Sequence, residues 1–530
     1  MKVNPQNLQC NLFLKNYGSD TSRLVYDVVH FAGLHPVVLE RIMEDQVAHG
    51  LAKKKCRLED AAFNRRQRAK SEVFLPGMRD ARPLENGDAP QDDGLVLLRG
   101  RDRAHPLVVL ILLVLRGFYG SITDRAATDR ILESSTLQIV LGNLGHRRPR
   151  RSSISENLNC VSQETLDLIL RLQLQDAHNL GLDDFKETTV DSTPSGAAMA
   201  FPTDISLVAT SIRGLWDVLE LLGKGKVIEF APGACAERWL LTVRNTARMI
   251  STTPLKSGTL HRRRVGELAH AAAKLEGKLE PYVNALNECV KNGEYGEMLA
   301  PARRAFVRLV DMADRHHTAT CHSIGQMVMR VLKRRKLKPH EKYLGPADPD
   351  ARLIVKGDRK PVVGYHPQLA RSRGGLVTCV LVDPDVLSDS KSLIPVLEAS
   401  IANTGVVPRD LSTDDGYSST DNLAGARELG VENVSFSGAN GKRLFDDEEW
   451  NSLVMRELRV SRSAVESLVF TLKHNHDFDR MKRTGRQAVR AEMTEKVLAY
   501  NFRRIRTLRE REEAKAGNPA PPEDPAGKAA

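Results

Sequence analysis

Two acidic residues of this 530-residue chain stand where strand patterns run out, and a third rides on an amphipathic helix pattern. Asp191 closes KETTVD, a stretch rich in threonine and valine that stops at Ser-Thr-Pro-Ser-Gly, and Asp415 closes DLSTDD just before Gly416-Tyr417. Glu466 lies in VSRSAVESLVFTLK (460–473), where Val465, Leu468, Val469 and Leu472 recur at the three-and-four spacing of a helix that buries one face. Carboxylates at strand ends project from a sheet rim, where open α/β sheets place their ligands. Such groups from separate elements can hold a pair of hard divalent cations roughly 3.5–4 Å apart, an arrangement well suited to in-line displacement at phosphorus. Each also has a plain structural explanation, because Asp before Ser-Thr-Pro or before Gly is a common turn former. Asp414 competes with Asp415 for the same role, since strand alternation lets only one of the two face a given side.

The helix pattern around Glu466 carries two more charges. At about 100° per residue, Arg462, Glu466 and Lys473 fall within roughly 40° of one another. They form a line beside the apolar stripe, with Ser463, Ser467, Thr471 and His474 on the other side. Taken alone, Arg462 and Glu466 are an i,i+4 ion pair contributing roughly a few tenths of a kcal/mol. Taken with two distant carboxylates, they are candidates for a site that handles phosphate.

The elements that would position these residues follow from pattern. Helical stretches occupy much of the first 180 residues, including HPLVVLILLVLRGFYG, and are broken by the loop-like PGMRDARPLENGDAPQDDG. After the strand that ends at Asp191, the chain is mostly helical from about 204 to 345. It then alternates: ARLIVKG, PVVGYHPQLA and GLVTCVLVD are β-like, SDSKSLIPVLEASIANTG is helical, RDLSTDD is a strand, NLAGARELG a helix with a glycine stop, and VENVSFSG a further strand. One strand, a long helical insert and then alternating strands and helices suit a mixed α/β sheet interrupted once.

The balance of 78 Lys and Arg against 67 Asp and Glu leaves a formal charge of +11, which points to an anionic partner such as nucleic acid. HRRPRR (146–151), HRRR (261–264) and RVLKRRKLKPHEK (330–342) are the candidate phosphate contacts, against the ordinary reading of solvated surface. The seven cysteines form no C-x-x-C pair, which argues against a disulfide framework or a zinc ribbon and fits a reducing, cytoplasmic setting. The longest apolar run, Leu107 to Leu115, is about half of the roughly 20 residues needed to span a bilayer, so no membrane association is expected. His316, His317 and Cys321 have a spacing that a zinc site could use, without an evident second ligand pair. His474 and His476 follow the Glu466 helix and read as a solvated helix end or as DNA contacts.

The C-terminal half resembles the prokaryotic insertion-sequence DDE transposases. In their signature a helix carries Arg, three residues, Glu, six residues, then Lys, which Arg462, Glu466 and Lys473 match in full. The family often has Tyr three residues before that Arg, where this chain has Arg459. Its second carboxylate commonly precedes Gly-Tyr, as Asp415 does here. Its first lies in an Asp-Ser/Thr-Thr segment followed by Pro-Thr-Asp, as in VDSTPSGAAMAFPTD with Asp191, Pro202, Thr203 and Asp204. VLAYNFRRI, with Asn501, resembles the helix that follows the signature, and SITDRAATDRIL through SSISENL resembles the N-terminal helical region.

The resemblance implies an α/β fold: an RNase H-like mixed sheet interrupted by a large helical insertion, preceded by a helical N-terminal domain. It divides the chain into an N-terminal helical region (1–75), a linker or loop (76–104), a helical DNA-binding or dimerisation domain (105–180), a first core part (181–210), the helical insertion (211–348), a second core part (349–506) and a disordered tail (507–530). It implies two Mg²⁺ ions, with Mn²⁺ able to substitute, held by Asp191, Asp415 and Glu466 as catalytic and metal-binding residues, with Arg462 and Lys473 contacting DNA. The expected reaction cuts the ends of a mobile element and joins their 3′-hydroxyls to target DNA. The partners would be double-stranded inverted-repeat ends, target DNA and at least one further copy of the chain, in the bacterial cytoplasm and on the nucleoid when bound to DNA. The alternatives are an RNase H-like nuclease without strand transfer and a non-catalytic DNA-binding repressor of the same descent.

Overall fold

The computed structural model describes residues 20–72, 104–120, 126, 129, 151–199, 203–252, 258–296, 298–338, 341–355, 360–382 and 388–517. HRRPRR and SITDRAATDRIL therefore lie outside the described residues, apart from positions 126, 129 and the backbone of Arg151. The chain enters through helices α1 (Asp20–Leu34), α2 (Pro36–Glu72), α3 (Pro106–Phe118) and α4 (Gln163–Asn179), then forms strand β1 (Glu187–Ser192). Four long helices follow: α5 (Asp204–Lys224), α6 (Ala234–Thr252), α7 (Gly258–Asn292) and α8 (Ala300–Met327). The path returns through β2 (Gln368–Ser372), β3 (Val377–Leu381), α9 (Asp389–Thr404), β4 (Asp410–Thr413), β5 (Asn433–Phe436), α10 (Leu453–Ser461), α11 (Ala464–His476) and α12 (Arg486–Gly517).

These residues group into two compact units, one of residues 1–49, 99–197 and 365–530 and one of residues 50–98 and 198–364. The first unit holds a five-stranded sheet of order β3-β2-β1-β4-β5. β2 and β3 run antiparallel to their neighbours, whereas β4 and β5 continue parallel to β1. This is the RNase H-like arrangement, and the helices α5 to α8 interrupt it after its first strand.

Pleat alternation assigns the two faces. Val190, Ala370, Leu411, Val434 and Phe436 point to one side and pack with Leu393, Val396 and Leu397 of α9. On the other side α11 packs against β1, α10 against β4 and β5, and α12 against β3. Arg371, the cross-strand partner of Thr189, lines a cleft with Ala464 and Leu468 of α11 and Tyr500 and Arg504 of α12, which puts α11 and α12 on the face opposite α9.

The apolar run expected not to span a membrane is α3, buried on all sides, which is why it lacks a polar face. Its Arg116 is buried too and forms a bidentate pair with Glu495 of α12, Nη2 to Oε1 at 2.7 Å and Nε to Oε2 at 2.9 Å. Among the described residues no helix is long and apolar enough to cross a membrane.

Two expectations need correction. The 460–473 pattern is not one helix: α10 ends at Ser461 and α11 begins at Ala464. Ser461 and Ser463 donate their hydroxyls back to the carbonyls of Leu458 and Val460, at 3.1 and 2.9 Å, which competes with the helical ladder at the junction. The tail expected to be disordered from 507 instead continues α12 to Gly517. Its Leu, Arg, Glu, Ala and Lys residues are good helix formers, and Lys515 pairs with Glu512 at 2.7 Å.

The second unit is a helical bundle whose core joins Leu215, Trp216 and Leu219 of α5, Val243 of α6, Leu268 and Leu275 of α7 and Phe306 of α8. Thr203 starts α5 with a capping box closed by Ser206.

Candidate active site

Thr189 and Ser412 are directly opposed in the parallel ladder, and their hydroxyl oxygens lie 2.9 Å apart in a buried hydrogen bond. The ladder continues to Val190 opposite Thr413. Asp414, the next residue, keeps an extended backbone with φ −82° and ψ 177°. Two steps beyond Thr189 and Ser412, Asp191 and Asp414 thus return to the face those hydroxyls occupy, on neighbouring strands roughly 4.8 Å apart. On this face α11 packs against β1 and α10 against β4.

Asp415 leaves the strand. The backbone turns into a short 3₁₀ segment over Asp415–Tyr417, and the Asp415 carboxylate accepts from the Gly441 amide at 2.9 Å and from Asn440 Nδ2 at 3.0 Å. It caps the short helix Ala439–Lys442. Gly438, at φ +113°, makes room for it: a Cβ there would stand 2.6 Å from Asp415 Cγ.

A second carboxylate approaches from α9. Gly416 is pinned between Asp414 Oδ1, which accepts from its amide at 2.9 Å, and Asp389 Oδ2. A Cβ at Gly416 would meet both oxygens at 3.1 Å, so the glycine before Tyr417 serves the close approach of two acids. Tyr417 is fully buried and donates its hydroxyl to Gln368 Oε1, and Gln368 Nε2 in turn donates to Asp389 Oδ1 at 3.1 Å. Burial pushes the Tyr417 hydroxyl well above its ordinary value, and the negative charges of Asp389, Asp191 and Asp414 push it further. Of the three, Asp389 shares Gln368 with the phenol. Asp389 and Gln368 escaped the sequence reading because one sits in a helix start and the other on a strand with no signature of its own.

Glu466 is in the first turn of α11. Its side chain is 65 % exposed and accepts from Arg462 Nη2 at 3.2 Å, so it faces solvent more than the apolar stripe suggested. Lys473, two turns on, donates from Nζ to the carbonyl of Pro194 at 3.2 Å, which lays this side of α11 across the chain leaving β1. Other positions from the sequence reading make internal contacts. Arg459 stacks its guanidinium 4.1 Å from the centre of the Trp450 ring. Asn501 accepts from the Val377 amide at 3.0 Å and donates to the Val377 carbonyl at 2.9 Å, closing the outer edge of β3. His474 is exposed and rests on Phe470, whereas His476 is buried among Phe118 and Tyr500 and cannot be a solvated helix end.

The family profile of the transposase DDE domain matches residues 355–502. The chain carries a transposase DDE domain. The match takes in Asp414, Asp415, Glu466, Lys473 and Asn501, while β1 with Asp191 precedes it. No curated protein and no solved structure matches the chain. Asp191 and Asp414 thus stand at the sheet rim where β1 and β4 end, and Glu466 stands on α11, exposed and paired with Arg462.

Proposed function

We infer that this protein is a DNA transposase that cuts the ends of its own element and joins the freed 3′-hydroxyls to target DNA. The observation that carries the reading is the shared register of Asp191 and Asp414 at one sheet rim, in a chain whose residues 355–502 match the transposase DDE domain. The carboxylates proposed for catalysis are Asp191, Asp414 and Glu466. Asp414 is placed ahead of Asp415 because its backbone continues the strand; both carboxylates accept backbone amides, Asp414 from Gly416 and Asp415 from Gly441.

The donor set fits hard divalent cations, since it offers carboxylate oxygens from a strand end, a strand exit and a helix. Mg²⁺, or Mn²⁺ in its place, would be held by these three residues as a pair and would supply charge neutralisation at the attacking and leaving oxygens. The chain's own contributions are positional. β1 and β4 hold two carboxylates at fixed separation through the buried Thr189–Ser412 contact. Arg462 holds Glu466 in reserve at the helix start. Lys473 places a positive charge beside the exit of β1, where a scissile phosphate would neutralise it. The exposed Lys333, Arg334, Arg335 and Lys336 that follow α8 supply further backbone contacts to duplex DNA. Two ends must be handled together, so the active form is a dimer or larger assembly, working in the cytoplasm on nucleoid DNA.

The test incubates the full chain with Mg²⁺ and linear DNA bearing the inverted repeats that flank its coding region. Nicks that leave 3′-hydroxyls, followed by covalent joining to a target plasmid, are expected. Cleaved ends without joined product would reassign the protein as a nuclease, and binding without cleavage as a repressor.

A further inference from the structure

The helical unit brings together three donors of a different chemistry. Glu276 lies on α7, and His317 and Cys321 lie one turn apart on α8, which packs against it. His317 Nε2 is 2.8 Å from Glu276 Oε1, Cys321 Sγ is 3.5 Å from the same oxygen, and Sγ is 3.7 Å from Nε2. One ligand atom from each residue lies within 4.8 Å of the others.

We propose that Glu276, His317 and Cys321 bind one Zn²⁺ ion that staples α7 to α8. A tetrahedral zinc with ordinary bond lengths sets sulfur and nitrogen roughly 3.6 Å apart and nitrogen and oxygen roughly 3.4 Å apart. The two sulfur separations already match, and the His317–Glu276 pair needs to open by roughly half an ångström, within the reach of a glutamate side chain. The mixture of thiol, imidazole and carboxylate selects a borderline-soft ion over Mg²⁺, so this site is chemically separate from the carboxylates of the DDE domain. Access is open, since Cys321 is exposed while Glu276 and His317 are half-buried. The fourth position is left to water. His316 is not part of the cluster: its ring packs on Gly214 of α5. On binding, the thiol and any protonated imidazole release their protons to solvent and the ion takes the sulfur and nitrogen lone pairs, with no change of oxidation state.

Without a metal, the same contacts make a simple hydrogen-bonded cluster, and the experiment separates the two. The full chain, reduced, stripped with EDTA and desalted, is titrated with Co²⁺ and watched for the thiolate-to-cobalt charge-transfer band in the near ultraviolet and the intense visible bands of four-coordinate cobalt. One equivalent should develop both, Zn²⁺ should bleach them, and Mg²⁺ should not. Cys321→Ser, a mild change at an exposed position, should abolish the charge-transfer band. His317→Ala and Glu276→Gln should each weaken Zn²⁺ binding by at least about tenfold. Cys289→Ser and Asp191→Asn should leave the band intact, which excludes another thiol and the acidic rim as its source. Absence of the band in the wild-type chain, or its persistence in Cys321→Ser, would overturn the proposal.

Discussion

Thr189 Oγ1 and Ser412 Oγ meet at 2.9 Å across the parallel strands β1 and β4, and the acids two residues after each, Asp191 and Asp414, inherit that alignment. If both are needed for chemistry, Asp191→Asn and Asp414→Asn should each lower end cleavage at least about a hundredfold, as removing several kcal/mol of charge stabilisation does. Glu466→Gln should do the same. Asp415→Asn should keep cleavage close to normal, while Asp415→Ala should cost about 1 kcal/mol of stability through the lost helix cap. Cleavage rates and urea midpoints on the same five proteins decide it. A dead Asp415→Asn beside a normal Asp414→Asn would return the role to Asp415.

Lys473 spans from α11 to the Pro194 carbonyl, three residues past Asp191. Lys473→Ala should therefore reduce cleavage while leaving the helix intact, because its apolar neighbours Leu468 and Leu472 remain buried. If Lys473 meets a phosphate, the slope of log affinity against log salt should fall by about 1 in the variant. An unchanged slope together with normal cleavage would make Lys473 a purely structural tether between α11 and the exit of β1.

The succession of strands along the chain was legible because they are short, β-branched and separated by turn signals, and the helix that carries Glu466 showed its apolar stripe plainly. Where the reading failed, local chemistry overrode pattern. A two-residue interruption at Arg462 and Ser463 separates α10 from α11, which a stripe of apolar positions does not register. The pattern alone does not show where, between Asp414 and Asp415, the strand ends. A dipeptide of identical residues cannot show that, whereas the extended backbone of Asp414 and the turn at Asp415 do. His476 looked like part of a polar helix end because Phe118 and Tyr500, which bury it, are distant in sequence.

His476 supplies a pH prediction. Burial holds its imidazole down at about 4, with Arg503 and Lys496 acting in the same direction against a weak bond to the Gly117 carbonyl. A histidine with a depressed folded pKa contributes its full stability above the unfolded value near 6.5. That stability is lost as pH falls from there toward 4, where the unfolded chain takes up the proton first. The expected loss is about 3 kcal/mol across that window. Carboxylates titrate in the same range, so the comparison is between the wild-type chain and His476→Leu in urea unfolding at pH 7 and pH 4.5. The variant should show a shallower fall. Equal falls would mean that His476 can be protonated in place.

Asn501 reaches from α12 to both backbone groups of Val377, the amide and the carbonyl that β3 turns away from β2. Val377 is fully buried, so no solvent stands ready to replace either bond. Asn501→Leu keeps the volume and removes both partners, which should cost about 2–4 kcal/mol because two buried polar groups are left unsatisfied. Asn501→Asp keeps the acceptor for the amide but places an oxygen against the carbonyl, and should cost at least as much. Hydrogen exchange at the Val377 amide reads the effect locally: protection should drop in Asn501→Leu well before the strands β1 and β4 at the centre of the sheet are affected. If that amide stays protected and the urea midpoint is unchanged, the edge of β3 is closed by something other than Asn501, and the helix after the DDE signature serves a purpose other than sealing the sheet.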